Sequence, residues 1–389
     1  RITRRIVRNL DAAEFTGDLV VPYMNIVHDR VALEIFRGCT RGCRFCQAGF
    51  IYRPIRERKP KTLIDYADRQ LGCTGYDEIS LFSLSSGDYS EIHATVPEIL
   101  ERYTKNRVSV SLPSLRIDSF LKDDLEKMQS VRKGGLTFAP EAGTQRLRDV
   151  INKGVCEEDL LRAVGDAFES GWQGVKLYFM IGLPTETDED VLGIAELARK
   201  VSRLFYQMPK DKRGKGLRCT VSASTFVPKP FTPFQWEPQN TREELEEKRL
   251  FIRSKITDRK IKFSCHDSGV SRIEAVLALG DRRIGAALEL ACREGFHFDA
   301  WDEFFDYDRW MSLFERSGID PAFYANRRRD TSEVLPWDVI DCGVTKEFLI
   351  REHDKAHAGV TTPSCREHCS GCGANRLGGE RAVCPSLNK

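Results

Sequence analysis

The 389-residue chain is 41% hydrophobic and 30% charged, a globular balance that excludes a disordered, collagen-like or low-complexity protein. At roughly 100–200 residues per domain it predicts two or three units. Sixty basic against 58 acidic side chains leave a formal charge of +2, so no global field draws the protein to nucleic acid or to an anionic membrane, and a nucleic-acid partner needs a local patch.

The chain opens on Arg1 in RITRRIVRNL, without Met or an apolar stretch of signal-peptide length, which predicts a lead-in over 1–27 cut from an upstream domain. Short β-rich runs then alternate with helical patterns, the order of parallel α/β architecture. Six strands are predicted: Val31–Phe36, Glu78–Leu84, Arg107–Leu112, Gly135–Ala139, Gly174–Met180 and Arg218–Phe226. Between them helices are expected over 61–71, 92–104, 119–129, 157–170 and 188–207. Six such units make a partial barrel over 28–235, with its chemistry beyond the carboxyl ends of the strands. The longest apolar stretch, Val175 to Leu183 with Lys176 inside it, is about half the ~20 residues a membrane-spanning helix needs, so a soluble protein without membrane association is expected.

The Pro-rich segment Val227-Pro-Lys-Pro-Phe-Thr-Pro-Phe-Gln-Trp236 can be neither helix nor central strand and marks a boundary or lid. A mostly helical extension over 236–340 follows: a charged helix at 241–257, a short strand at 260–264, a long helix at 270–294 and an aromatic helical stretch at 301–316, all packed on the barrel. Asp302, Glu303, Asp306, Asp308 and Arg327–Arg329 read as solvated faces. Residues 341–389 form a Cys-rich, metal-binding end.

Thirteen cysteines, odd in number and clustered in a chain without an export signal, point to metal ligation in a reducing cytoplasm rather than to disulfides. Cys39-x3-Cys43-x2-Cys46 follows the first strand directly. Three thiolates on a short loop can hold three irons of a cubic cluster and leave the fourth open to an exchangeable ligand. Gly38 and Gly42 relax the backbone, and Arg37, Arg41 and Arg44 favour the cluster's negative charge. A zinc site is disfavoured, because it would usually show two Cys-x2-Cys pairs.

With Phe45 just before the last Cys, this motif resembles that of the radical S-adenosylmethionine (SAM) superfamily, and residues 28–235 resemble that family's core, a partial (β/α)6 barrel. More closely, the chain is similar to the branch of tRNA methylthiotransferases and cobalamin-associated radical enzymes. RGCTRGCRFCQAG and the later cysteines resemble an uncharacterised bacterial family usually fused to an N-terminal cobalamin-binding-like domain. The resemblance implies a [4Fe–4S] cluster on Cys39, Cys43 and Cys46, supplied with electrons by a reductant such as flavodoxin or ferredoxin. The cluster would cleave SAM to methionine and a 5′-deoxyadenosyl radical that takes hydrogen from an unidentified substrate.

It also implies SAM contacts. Ser85-Ser-Gly-Asp88 stands where relatives place a Gly-Gly-Glu-like turn, which nominates Ser86, Gly87 and Asp88. Arg116 could pair with the SAM carboxylate. Phe138-Ala-Pro-Glu-Ala-Gly143 is similar to the family's Glu-Ser-Gly turn, with Ala142 in place of Ser, and nominates Glu141. Met180-Ile-Gly-Leu-Pro-Thr-Glu186 resembles the turn beside the adenine and nominates Gly182 and Pro184, with Glu186 read as the start of the next helix. Lys176 can face either side of its strand.

Cys365-x3-Cys369-x2-Cys372-x11-Cys384 offers four thiolates. The resemblance favours a second [4Fe–4S] cluster, while the residues alone also allow zinc, with His368 able to replace one Cys. Cys342 is a spare ligand. His353 and His357 share one helix face and, with no third ligand evident, read as surface residues. Cys73, Cys156, Cys219, Cys265 and Cys292 read as small buried apolar residues. The methylthiotransferase likeness makes RNA a candidate substrate, with Arg1, Arg4, Arg5, Arg8 and Arg327–Arg329 for phosphate. Two rivals stand beside this reading: cobalamin-dependent methyl transfer, which would need cobalamin from the missing upstream domain, and a non-catalytic iron–sulfur or zinc module that binds RNA.

Overall fold

A computed structural model describes residues 1–24, 26–112, 136–210, 213 and 216–377. Seven parallel strands of three or more residues form two sheets. In the first, β1 (Val31–Glu34), β2 (Glu78–Phe82) and β3 (Ser109–Ser111) lie side by side; in the second, β4 (Leu136–Glu141), β5 (Gly174–Ile181), β6 (Arg218–Thr225) and β7 (Ile261–Cys265) follow in chain order. All six expected strands form. β7, read from sequence as part of a helical extension, joins the second sheet, with Ile261 opposite Cys219 through to Cys265 opposite Ala223.

Alternation decides which face each strand buries. In β5, Val175, Leu177 and Phe179 pack on helices α4 (Glu157–Glu169), α5 (Asp188–Gln207) and α6 (Arg242–Lys255), against Leu160, Phe168, Val191, Phe205 and Ile252. Lys176 and Tyr178 occupy the opposite face, with the ammonium 4.5 Å from the ring centroid, so Lys176 lies on the side away from the helices. The first sheet packs on α1 (Pro60–Thr74) and α2 (Ile92–Tyr103) through Val31, Leu33, Ile79 and Leu81 against Leu63, Ala67, Val96 and Ile99. The helix expected over 119–129 lies outside the described residues.

Capping boxes start α4, α5 and α6. In α5, Asp190 does more than cap. Its carboxylate accepts from the Thr187 backbone N–H at 2.8 Å and also from the Thr144 hydroxyl and the Arg146 guanidinium, tying α5 to the turn after β4. Burial opposes its ionisation, but the hydrogen bonds from Arg146, Thr144 and Thr187 outweigh that and hold the carboxyl below its usual range. Its contribution to stability is therefore present above the unfolded value of about 3.9 and is lost as pH falls through the lower folded value. Asp190→Ala is expected to lower the unfolding free energy by about 1–3 kcal/mol at pH 7. Urea denaturation at pH 7 and again at pH 3 measures this, and the gap between wild type and variant should narrow at pH 3.

The long helix expected over 270–294 is two, α7 (Ser268–Ala278) and α8 (Ile284–Arg293). A Cβ at Gly280 would lie 2.4 Å from Ile284, and the Asp281 carboxylate accepts from the Arg283 backbone N–H at 2.9 Å. Together they end one helix and start the next. The aromatic stretch becomes helical only at α9 (Tyr307–Arg316), where Asp306, expected on a solvated face, is the N-cap and accepts from the Arg309 N–H. A last helix, α10 (Lys346–His357), packs Phe348 and Leu349 with Phe50, Trp236, Leu335 and Trp337. That core binds the turn after β1, the Pro-rich segment and the C-terminal region to one another. No described helix is long and apolar enough to cross a membrane.

Candidate functional site

Cys39, Cys43 and Cys46 lie on the loop that leaves β1. The loop turns at Gly38, whose φ of +101° a side chain would strain and whose Cβ would meet the Tyr52 carbonyl at 2.9 Å. It ends in a single helical turn, Gln47–Ile51, with Cys46 at its N-cap. Burial first, then the nearby Cys43 thiol, push Cys39 up to about 12, and the same causes raise Cys46. A metal core placed here must take these sulfurs as thiolates, so loading releases protons.

The three arginines of this loop are committed elsewhere. Arg37 holds the Glu34 carboxylate with two bonds of 2.7 Å. Arg41 grips Asp88 at 2.6 and 3.0 Å. Arg44 is fully buried against Glu352. The cation that faces the thiols is Arg53, which sequence reasoning missed. Its side chain is buried, donates from Nη2 to the Arg41 carbonyl at 2.8 Å and from Nε to the Gly49 carbonyl at 3.1 Å, and lies over the Phe50 ring. Burial would lower its pKa, yet the thiols of Cys365, Cys372 and Cys39 raise it. Its Nη1 is a buried donor with no hydrogen-bond partner among the described residues. A buried guanidinium that reaches Cys372 and feels Cys365 and Cys39 is what an anionic, sulfur-rich cluster would complement.

The C-terminal cysteines dock directly on this loop. The Cys365 N–H donates to the Thr40 carbonyl at 2.9 Å. Arg366 donates to the Asp88 carbonyl at 2.7 Å and pairs with Glu57. Asn152 donates to the carbonyls of Gly42 and Thr362 and accepts from the Thr362 N–H at 2.8 Å. Cys372 accepts at its carbonyl from the Thr345 N–H that starts α10. Cys384 lies outside the described residues. Cys342 is buried in the core with Phe348.

The nominated SAM contacts among the described residues follow the ends of β2, β4 and β5. Ser86, fully buried, donates to the Leu81 carbonyl, and Ser86-Gly87-Asp88 forms one 3-10 turn. Besides Arg41, the Asp88 carboxylate accepts from the hydroxyls of Thr40 at 3.2 Å and Ser85 at 2.6 Å, so it braces the cysteine loop. Glu141 ends β4 in the left-handed region, φ +67°, a conformation that costs a side-chain residue free energy. It pairs with Lys153 at 3.0 Å, and both charges are felt at Cys46. Phe45 packs on Ala142, Met180, Leu183 and Phe226, which joins the loop to β4, β5 and β6. Gly182 and Pro184 are buried after β5. Glu186 does not begin the next helix: it folds back, almost wholly buried, to accept from the Gly182 N–H at 2.9 Å and from Lys248 at 2.7 Å. Arg116 lies outside the described residues. No pattern in the sequence marks Arg53 or Lys153, because both meet the site through contacts that only the fold creates.

Several sequence readings are corrected. Arg329 is neither solvated nor available to phosphate: it is buried, donates to the Tyr324 carbonyl at 2.6 Å, and burial lowers its pKa to about 10. Arg327 pairs with Glu333 and Arg328 with Glu237; at the other end Arg4 is bonded to the Arg53 carbonyl. Cys73 and Cys292 are exposed, not buried, and Cys156 caps α4 through its thiol. His357 is exposed and His353 half-buried, but a third partner does exist: both meet buried Glu237. Among the described residues, one group of three His, Cys, Asp or Glu side chains brings its ligating atoms within 4.8 Å of one another. It is Glu237, His353 and His357, and neither cysteine group.

The family model of the radical SAM superfamily matches residues 33–198, from β1 through most of α5. Residues 33–198 are a radical SAM domain. An uncharacterized protein of Methanocaldococcus jannaschii is 33% identical over 287 residues, 74% of this chain and 60% of that protein. A tRNA-2-methylthio-N(6)-dimethylallyladenosine synthase of Staphylococcus epidermidis is 23% identical over 189 residues, 44% of this chain and 35% of the synthase. The chain thus spans 60% or less of the length of these two relatives. A solved radical SAM methyltransferase, TsrM from Kitasatospora setae, aligns with 53% of this radical SAM chain and 38% of its own, at 16% identity and a TM-score of 0.42. The radical SAM family uses a [4Fe–4S] cluster, SAM and an external reductant.

Proposed function

We propose that this chain is a radical SAM enzyme in which Cys39, Cys43 and Cys46 hold a [4Fe–4S] cluster and Cys365, Cys369 and Cys372, with Cys384, hold a second iron–sulfur cluster beside it. The observation that carries this reading is Arg53, a buried cation drawn to Cys39 in one group of thiols and to Cys365 and Cys372 in the other. Four cysteines at the spacing of Cys365, Cys369, Cys372 and Cys384 beside a first cluster resemble an auxiliary iron–sulfur site, and metal analysis of the reconstituted chain separates that from zinc.

When bound, the first cluster supplies one electron to SAM, which yields methionine and a 5′-deoxyadenosyl radical. The chain's own residues position and shield. Asp88 holds Arg41 and Thr40, and so the loop between Cys39 and Cys43. Asn152 and Arg366 fasten the 360–372 segment over the loop, which keeps water and stray reductant from the radical. Glu141, left-handed at the end of β4 and beside Cys46, is placed to accept from a SAM hydroxyl or ammonium; Ser86, Gly87, Gly182 and Pro184 are assigned to SAM as well, and Arg116 to its carboxylate.

The test is anaerobic. Protein reconstituted with iron and sulfide, then given dithionite and SAM, is expected to form 5′-deoxyadenosine and to bind SAM in an equilibrium measurement. Failure to bind SAM at a fully loaded first cluster overturns the proposal.

A further inference from the structure

Glu237 follows the Pro-rich segment directly, and His353 and His357 lie one turn apart on α10, 116 and 120 residues away. The fold drives all three together. Glu237 is 2% exposed at its side chain, and its Oε1 is 2.7 Å from Nε2 of His353 and 2.8 Å from Nε2 of His357. Its other oxygen is held by Arg328 at 2.7 Å. The Trp236 ring meets the His353 ring edge-on at 5.7 Å.

We infer that Oε1 of Glu237 and the Nε2 atoms of His353 and His357 form a binding site for one divalent transition-metal ion, zinc by its donor set, separate from both cysteine groups. Two imidazoles and one carboxylate suit zinc and other first-row ions and do not suit calcium or magnesium. An ion about 2.0–2.1 Å from each donor requires donors about 3.3 Å apart in tetrahedral geometry. Oε1 would draw back from each ring by about half an ångström, and the two Nε2 atoms, within 4.8 Å of each other, would settle at the same separation. Arg328 keeps Oε2 occupied, so the carboxylate offers a single oxygen.

A second observation points the same way. Nδ1 of His353 is buried and has no hydrogen-bond partner. Without a metal, a neutral His353 bonds to Glu237 with its proton on Nε2 and leaves Nδ1 a bare buried acceptor, while the imidazolium leaves an N–H there without a hydrogen bond. A metal on Nε2 moves the proton to Nδ1, where Oδ1 of Asp354 lies 3.8 Å away. A carboxylate beside the outer nitrogen of a metal-bound imidazole fixes its tautomer and orientation. The His357 side chain is 34% exposed, so water reaches the site and completes the fourth position. The ion would staple the exit of the Pro-rich segment to α10, the helix whose Glu352 holds Arg44 of the cysteine loop.

The full chain decides this, reconstituted anaerobically so that its thiols are occupied by iron, dialysed against a chelator and titrated with Zn2+. One equivalent of zinc per chain is expected beyond the iron, with a rise in Tm on binding. In His357→Ala the zinc affinity should fall by more than about 100-fold and the rise in Tm should vanish; Glu237→Gln serves the same comparison if that variant does not fold. Cys39/Cys43/Cys46→Ala should keep its zinc, and X-ray absorption should show nitrogen and oxygen neighbours. Equal zinc content in wild type and the His357 or Glu237 variant, sulfur neighbours, or no zinc beyond the thiol sites overturns the inference.

Discussion

Replacing Cys39, Cys43 and Cys46 together with alanine is expected to abolish 5′-deoxyadenosine formation and to remove about half of the iron from the reconstituted chain, leaving about four irons at the second site. Each variant thiol is replaced by a methyl group that cannot ligate iron, while the loop keeps its other anchors: Arg41 to Asp88, Asn152 to the Gly42 carbonyl, and Cys365 to Thr40. The 360–372 segment therefore stays docked, and the second set of thiols keeps its geometry. Iron content, sulfide content and product yield, measured on one sample, separate the two clusters. Iron falling to zero would mean that the second site depends on the first or holds another metal. Product surviving the triple substitution would sink the assignment of the first cluster.

The framework of this site was legible because it is written locally. Cys39-x3-Cys43-x2-Cys46 is a three-residue statement, and the six strands announce themselves as apolar runs bounded by Gly, Pro and charge. The helices expected from 157 and 188 begin there, each with three acidic residues in its first turn, Glu157 to Asp159 and Asp188 to Asp190. What escaped is non-local. β7 reads as an isolated short strand, because nothing within 261–265 says that Arg218–Thr225 is the partner; only sheet pairing does. Nearness in sequence offers Arg37, Arg41 and Arg44 as the cluster's counter-charges. The fold hands each to a carboxylate at 3, 47 and 308 residues' distance and brings up Arg53 instead. His353 and His357 lacked a third ligand for the same reason: Glu237 belongs to another segment and is joined to them only by the packing of α10 on Trp236.

Arg44 and Glu352 supply the largest stability effect expected in the chain. The Arg44 side chain is 0% exposed and that of Glu352 4%. Nε and Nη2 of Arg44 donate to Oε2 of Glu352 at 3.3 and 3.1 Å, Nη1 to the carbonyls of Asp149 and Val150, and Nη2 to the Val360 carbonyl at 2.7 Å. Glu352 also accepts from Lys355 and the Thr362 hydroxyl; burial opposes its ionisation, but these partners and Arg44 hold its carboxyl below the usual range. Removing one partner of such a pair strands a buried charge, so Glu352→Gln is expected to cost about 3–5 kcal/mol in urea denaturation. An apolar double replacement, Arg44→Met with Glu352→Leu, strands nothing and should recover most of that loss. Recovery of stability should not restore 5′-deoxyadenosine formation. The pair joins the cysteine loop, the end of the helical turn after β4 and the 360–372 segment, and an apolar pair has no directional bonds with which to hold those three in register. A Glu352→Gln chain as stable as wild type would show that Lys355 and Thr362 alone satisfy the helix. A double variant with full product yield would show that the ion pair contributes stability and nothing to position.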